Sequence, residues 1–228
     1  KKLSLILTVG VSAESGYLVS KYATKASEYG AEQVMVAPPI MKKPNEKVLY
    51  RYYEEVNNAI SKETKIVIQD LPEQSGVHMS PEFMVNLDKN LDKVNSIKLE
   101  DPPTPSKITK IAKIKNKDLK IFGGLGGLFF LEELMRGASG TMTGFAFTEI
   151  LVEIYDLFSK SKLEEAKNLF YKWLPLIRYE NTAGISLSIR KEILKQRKIT
   201  KFSNIRYPSP AMDDDDHKEL EFILNDYL

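Results

Sequence analysis

Ser96-Ile97-Lys98-Leu99-Glu100-Asp101-Pro102-Pro103 reads as a short strand running into a double proline, with a lysine near its end and a carboxylate two residues later. Proline cannot donate to a ladder, so the strand has to stop before Pro102. Side chains two apart on a strand share a face, which puts Lys98 and Glu100 on one side and Ile97 and Leu99 on the other. One face is then apolar and the other ionisable. At a rise of about 3.3 Å per residue the two Cβ atoms stand roughly 6.6 Å apart, so both side chains reach one small molecule. Lysine and glutamate are rarely buried without partners. The pair therefore has two readings: an ion pair of Lys98 with Glu100 or Asp101 that only supports the fold, or a reactive amine beside an acid.

Outward from this strand the same unit repeats. Apolar runs at 3–9, 33–37, 65–69, 94–99, 119–122 and 141–145 alternate with segments of helical period near 13–29, 46–61, 81–92, 105–116, 128–137 and 148–160. Some of these helices carry a start signal such as Ser80-Pro81. Repeated strand-then-helix units predict a parallel sheet. Three more helical stretches, near 162–179, 183–197 and 213–226, are joined by a segment containing Tyr207-Pro208-Ser209-Pro210 and form a helical extension over 161–228, leaving 1–160 for the sheet. Polar or glycine-rich residues collect where the strands end: Ala37-Pro38-Pro39, Gln69-Asp70-Leu71-Pro72, Gly123-Gly124-Leu125-Gly126-Gly127 and Thr143-Gly144. Barrels and doubly wound sheets both bind ligands at that edge, so the pattern leaves both open.

Composition narrows the function classes. A chain of 228 residues with 43% hydrophobic content can bury one large core, and no shift in composition marks a second domain. A net charge of +2 gives no basis for a nucleic-acid or membrane surface. The absence of cysteine excludes disulfides, thiolate nucleophiles and cysteine-based zinc sites, and fits a reducing cytoplasm. No apolar run approaches the roughly 20 residues that span a bilayer, and Lys1 to Thr8 reads as strand rather than leader peptide. His78 and His217 lack metal-ligand spacing and read as surface residues, so neither a metal nor a cofactor is expected. Asp213 to Asp216 reads as the acidic first turn of the last helix. Arg190 to Lys198 reads as a polar helix face with Ile193 and Leu194 turned inward, and Phe170, Trp173 and Tyr179 as helix packing or subunit contact.

The succession of Asp70-Leu71-Pro72 after the strand at 65–69, the run Ile97 to Pro103, the Gly123-Gly124 turn and Gly140-Thr141-Met142-Thr143-Gly144 resembles the dihydrodipicolinate synthase and N-acetylneuraminate lyase superfamily over almost the whole chain. The resemblance implies a (β/α)₈ TIM barrel of class I lyases and dehydratases, assembled as dimers or tetramers of identical chains. In that superfamily the lysine of the sixth strand forms a Schiff base with a 2-keto acid, and Lys98 matches it. Counting back, the strand at 3–9 is the third, so the expected fold is an N-terminally incomplete barrel of strands three to eight, short of roughly 60 residues at about 30 per unit. The pattern also departs from the family. Gln69 stands where the lyases carry a catalytic tyrosine, and Ala37-Pro38-Pro39-Ile40 has none where the synthases contribute one across the subunit interface. Glutamine orients a ligand but does not ionise, which speaks against dihydrodipicolinate synthesis. The Lys-x-Glu spacing is similar to that of members that dehydrate 2-keto-3-deoxy sugar acids, such as the ketodeoxyarabonate dehydratases.

The expected chemistry is dehydration of a 2-keto-3-deoxy sugar acid. A neutral Lys98 amine attacks the keto carbon, the iminium acidifies the C3 proton, and the enamine expels the C4 hydroxyl as water. Glu100 is the candidate for moving those protons. Gln69 would orient the substrate, the backbone at Gly123 and Gly124 would approach it closely, and Thr143 would offer a hydroxyl. Alternatives stand beside each assignment. Glu100 would only neutralise Lys98 or cap the next helix, and Gly123 to Gly127 would be a tight turn or, without a Gly-x-x-x-x-Gly-Lys-Ser/Thr run, a weak phosphate cradle. A pyruvate-dependent aldolase and a non-catalytic barrel used for binding or assembly are the competing functions.

Overall fold

The structure, a computed structural model, describes residues 5–228. Six short strands, β1 (Thr8–Gly10), β2 (Gln33–Val36), β3 (Lys65–Asp70), β4 (Val94–Leu99), β5 (Lys120–Gly123) and β6 (Gly140–Thr141), form one sheet in chain order, every pair parallel. A doubly wound sheet reverses its strand order at a switch point; this one never does, so it is singly wound.

The chain divides into two compact units, the first comprising residues up to Gly123 with Met135–Thr141. Here the strands alternate with α1 (Gly16–Glu28), α2 (Glu46–Ala59), α3 (Pro72–Ser75), α4 (Pro81–Asn90) and α5 (Thr104–Ile114). Local chemistry sets the helix ends. Ser15, Asn45 and Ser80 accept hydrogen bonds from the first-turn N–H groups of α1, α2 and α4, and Pro81 fills a position whose N–H has no helical partner. At the end of α2 the buried Lys93 donates Nζ to the carbonyls of Asn57 (2.5 Å) and Ile60 (2.8 Å), a cation at the negative end of the helix dipole. Alternation gives the sheet two faces. Val34, Val36, Ile66, Ile68, Ile97, Leu99 and Ile121 point one way and pack into a core with Val19, Tyr53, Val56, Met84, Leu87, Ile108 and Ile111 from the helices. Gln33, Met35, Gln69, Lys98 and Phe122 point the other way and stay partly accessible.

The second unit, Gly124–Leu134 with Met142–Leu228, has its own core. A single-turn 3₁₀ segment (Leu125–Gly127) leads to α6 (Phe130–Met135), then α7 (Thr148–Ser159), α8 (Leu163–Glu180), α9 (Ser186–Gln196) and α10 (Asp214–Leu224). Phe170, Leu176, Ile177, Ile189, Ile193 and Leu220 are fully buried in it. The Trp173 ring lies 4.7 Å from that of Phe147 and 4.6 Å from that of Tyr227. Asp213 caps α10 reciprocally with Asp216, so the acidic run is a first turn.

Two strand expectations change. The first strand is Thr8–Gly10 rather than 3–9, of which residues 3 and 4 fall outside the described residues. The last is Gly140–Thr141 rather than 141–145, because Phe145, Ala146 and Phe147 pack into the helical core of the second unit. A short buried apolar run does not declare by periodicity which core receives it. Both α3 and the 3₁₀ turn are too short to register as a period. Among the described residues no helix is long and apolar enough to cross a membrane.

Candidate active site

β3 and β4 end side by side on the polar face, with Gln69 in register with Lys98 and Lys98 with Phe122 of β5. Lys98 Nζ lies 3.0 Å from Glu100 Oε1, and Gln69 Nε2 donates to Glu100 Oε2 at 2.9 Å. One carboxylate thus joins an amine and an amide, each oxygen with its own donor. The lysine side chain is 15% exposed and the glutamate 10%, enclosed enough to weaken hydration yet still accessible. Enclosing two charges costs solvation that their attraction repays only when further hydrogen bonds complete the geometry, which Gln69 supplies. Glu100 lies one residue beyond β4, and its N–H donates to the Asp70 carbonyl at 2.9 Å, carrying the ladder past the strand end.

Behind this pair lies a second set of charges. Lys107 Nζ from the opening turn of α5 lies 2.6 Å from Asp70 Oδ2 and 2.8 Å from Asp101 Oδ2, and His78 Nδ1 lies 3.0 Å from Asp101 Oδ1. Burial pushes the fully enclosed Asp70 carboxyl above its ordinary value, with Lys107 pulling the other way. Burial also acts to raise Asp101, but the contacts of Lys107 and His78 outweigh it and hold that carboxyl below the usual value. His78 is a surface residue, its side chain 72% exposed, yet it has a partner. Sequence reading passed over Lys107. The available signal was a cation in the first turn of a helix, where the dipole disfavours it unless an anion is close.

Gly123 closes β5 in register with Leu99 and Thr141. Gly124 and Thr143 belong to the second unit. Gly124 precedes a turn in which Gly126 (φ 66°) and Gly127 (φ 85°) adopt left-handed backbone, so the glycine run forms a tight turn. Thr143 sits after β6 rather than on it, its hydroxyl buried and without a hydrogen-bond partner. The second unit also holds a buried ion pair that sequence reading missed: Glu180 accepts from Arg190 Nε at 2.7 Å and from the Ala146 N–H at 3.0 Å. Burial pushes the Glu180 carboxyl up, against the Ala146 and Arg190 contacts. Among the described residues no group of three or more His, Asp or Glu is arranged to hold a metal ion.

The chain is thus an α/β protein whose singly wound parallel sheet carries a lysine amine, paired with an acid, at its carboxyl edge. The dihydrodipicolinate synthetase family model matches residues 2–227, and the chain belongs to that family. The chain is 26% identical over 217 residues to the L-2-keto-3-deoxyarabonate dehydratase of Azospirillum brasilense, covering 93% of this chain and 69% of that protein. It is 25% identical over 174 residues to the 4-hydroxy-tetrahydrodipicolinate synthase of Thermosipho melanesiensis, covering 75% of this chain and 59% of the synthase. The crystal structure of dihydrodipicolinate synthase from Rhodopseudomonas palustris superposes with a TM-score of 0.90 at 32% identity, over 98% of this chain and 75% of that one.

Proposed function

We propose that the protein is a Schiff-base lyase that dehydrates a 2-keto-3-deoxy sugar acid. The observation that carries this reading is the Lys98 amine 3.0 Å from a Glu100 carboxylate whose other oxygen is held by Gln69. The likeness to a ketodeoxyarabonate dehydratase over 93% of the chain supports the same substrate class. The sequential parallel order of β1 to β6 supports reading them as consecutive strands of a (β/α)₈ barrel, with 161–228 as a helical extension. Within the same proposal the enzyme is cytoplasmic and a homo-oligomer.

In this reading Lys98 adds to the C2 carbonyl and water leaves, giving an iminium. A base removes the C3 proton, and the electron pair of that bond forms the enamine. Collapse of the enamine expels the C4 hydroxyl, which takes up a proton and departs as a second water. In this reading Glu100, 3.0 Å from Nζ, takes a proton from it and returns one to a leaving oxygen. Gln69 donates to Glu100, which leaves its own carbonyl oxygen to accept from a substrate hydroxyl.

Borohydride in the presence of pyruvate should reduce the iminium to a stable secondary amine, adding mass to a peptide containing Lys98. Lys98→Ala should abolish the adduct. Glu100→Gln should slow turnover of a 2-keto-3-deoxy sugar acid by about 10²- to 10⁴-fold. No adduct in the parent protein would sink the Schiff-base reading, and unchanged turnover in Glu100→Gln would reduce Glu100 to a counter-ion. Release of pyruvate instead of water from the sugar acid would assign aldol cleavage.

A further inference from the structure

We propose that Lys107 is a positioning residue for the Lys98–Glu100 pair, stapling the ends of β3 and β4 together through Asp70 and Asp101. This inference rests on the Schiff-base reading and adds to it a group that touches no reacting atom.

Glu100 lies outside β4, so the strand ladder alone does not hold it, yet its carboxylate has to meet two side chains at 3.0 and 2.9 Å. Its partner Gln69 is the penultimate residue of β3. The residues that immediately follow these two, Asp70 and Asp101, are both acids, and one ammonium group lies 2.6 Å from the first and 2.8 Å from the second. Neighbouring residues on a strand face opposite ways, so Gln69 meets Glu100 on the polar face while Asp70 is turned toward the helix that carries Lys107. Two layers of contact, one residue apart, therefore lock the same pair of chain ends. The backbone bond from Glu100 N–H to the Asp70 carbonyl runs between them.

Lys107 suits this task. Its side chain is 12% exposed and reaches back from α5, whose backbone starts directly after the turn it secures, Glu100 to Pro103. From the surface side His78 adds one contact to that turn, at the second oxygen of Asp101. With the ammonium group removed, Asp70, which is fully buried, and Asp101, which is 11% exposed, would face each other without the shared cation. Without that bridge the turn bearing Glu100, which lies beyond the strand, is tied to the end of β3 only by the Gln69 contact and one backbone bond. Lys98 sits on the ladder and stays in place. Loss of Lys107 should thus separate the acid from the amine while leaving the amine where the ligand binds.

A salt bridge that serves only stability makes a different forecast, and the test is built on that difference. The rate of borohydride trapping of pyruvate on Lys98 is measured per folded molecule, as a function of pyruvate concentration, for the parent protein and three variants. Asp70→Asn/Lys107→Met removes the staple without leaving a bare carboxylate in the core, so it tests position with the least burden on folding. Asp101→Asn keeps the Lys107–Asp70 pair and loosens only the turn. Lys107→Arg preserves the charge and should restore most of the rate.

The expected result is a maximal trapping rate at least tenfold lower in Asp70→Asn/Lys107→Met and severalfold lower in Asp101→Asn. The pyruvate concentration for half-maximal trapping should change less than threefold, so the loss falls on the rate and not on binding. Parent-like maximal rates in folded Asp70→Asn/Lys107→Met or Asp101→Asn overturn the inference and leave Lys107 a stabilising residue. A parent protein that traps no pyruvate overturns the Schiff-base reading itself and this inference with it, an outcome distinct from the first.

Discussion

At Gly126 the backbone has φ 66° and ψ 4°, a conformation that costs a residue with a Cβ and costs glycine nothing. A Cβ built at that position would overlap the side-chain amide of Asn181, which follows α8 and donates to the Ile177 carbonyl at 2.7 Å. Strain and collision act together, so Gly126→Ala should lower stability by about 1–3 kcal/mol. Urea unfolding followed by circular dichroism measures it, and a midpoint equal to that of the parent protein would rule the account out. Half of this was legible in the sequence. A run of four glycines around Leu125 announces a turn from residue types alone, whereas Asn181 stands far along the chain and nothing local names it as the neighbour. Lys98 and Glu100 were legible for the opposite reason, since strand alternation places both on one face, whereas Gln69 was named only through the family resemblance and the structure's register sets it beside Lys98.

Strands and helices differed in how openly they declared themselves. β3 and β4 are dense in Val and Ile, stop at polar or proline-containing turns, and emerge within a residue of the expected 65–69 and 94–99. β6 did not, because it is two residues long, one of them a strand-disfavouring glycine, and owes its pairing to β5. The turn after β4 is held by charge, which makes it sensitive to pH with a definite sign. Burial pushes Asp101 up, the contacts with Lys107 and His78 pull it further down, and its folded value ends below the ordinary 3.8. A carboxyl depressed by folding adds stability above its unfolded value and loses it as the pH falls through the folded one. Asp101→Asn should therefore be less stable than the parent protein near neutral pH, with the gap closing as the pH drops below 3.8. Thermal melts across that range decide the matter: a gap of constant size would mean that the charge of Asp101 contributes nothing.

Across the molecule the apolar residues divide between two cores, one beneath the sheet and one among the later helices. Composition could not reveal that division, since both cores draw on the same Leu, Ile, Val and Phe, and a count of hydrophobic residues carries no address. Helical period did identify α8, α9 and α10 and the inward faces of two of them, Phe170 with Trp173 and Ile193 with Leu194. It could not foresee that Phe145 and Phe147 would join them. The assignment of residues to the second core has a direct consequence for two phenylalanines of that unit. Phe170 on α8 is fully enclosed, whereas Phe222 on α10 is 79% exposed. Truncating the first leaves a cavity that packed neighbours refill only in part, at a cost of about 3–5 kcal/mol. Truncating the second removes surface already in water and should change stability by no more than about 0.5 kcal/mol. Guanidinium unfolding of Phe170→Ala and Phe222→Ala separates the two, and equal losses in both variants would mean that α10 buries Phe222 against something, contrary to its exposed position on that helix.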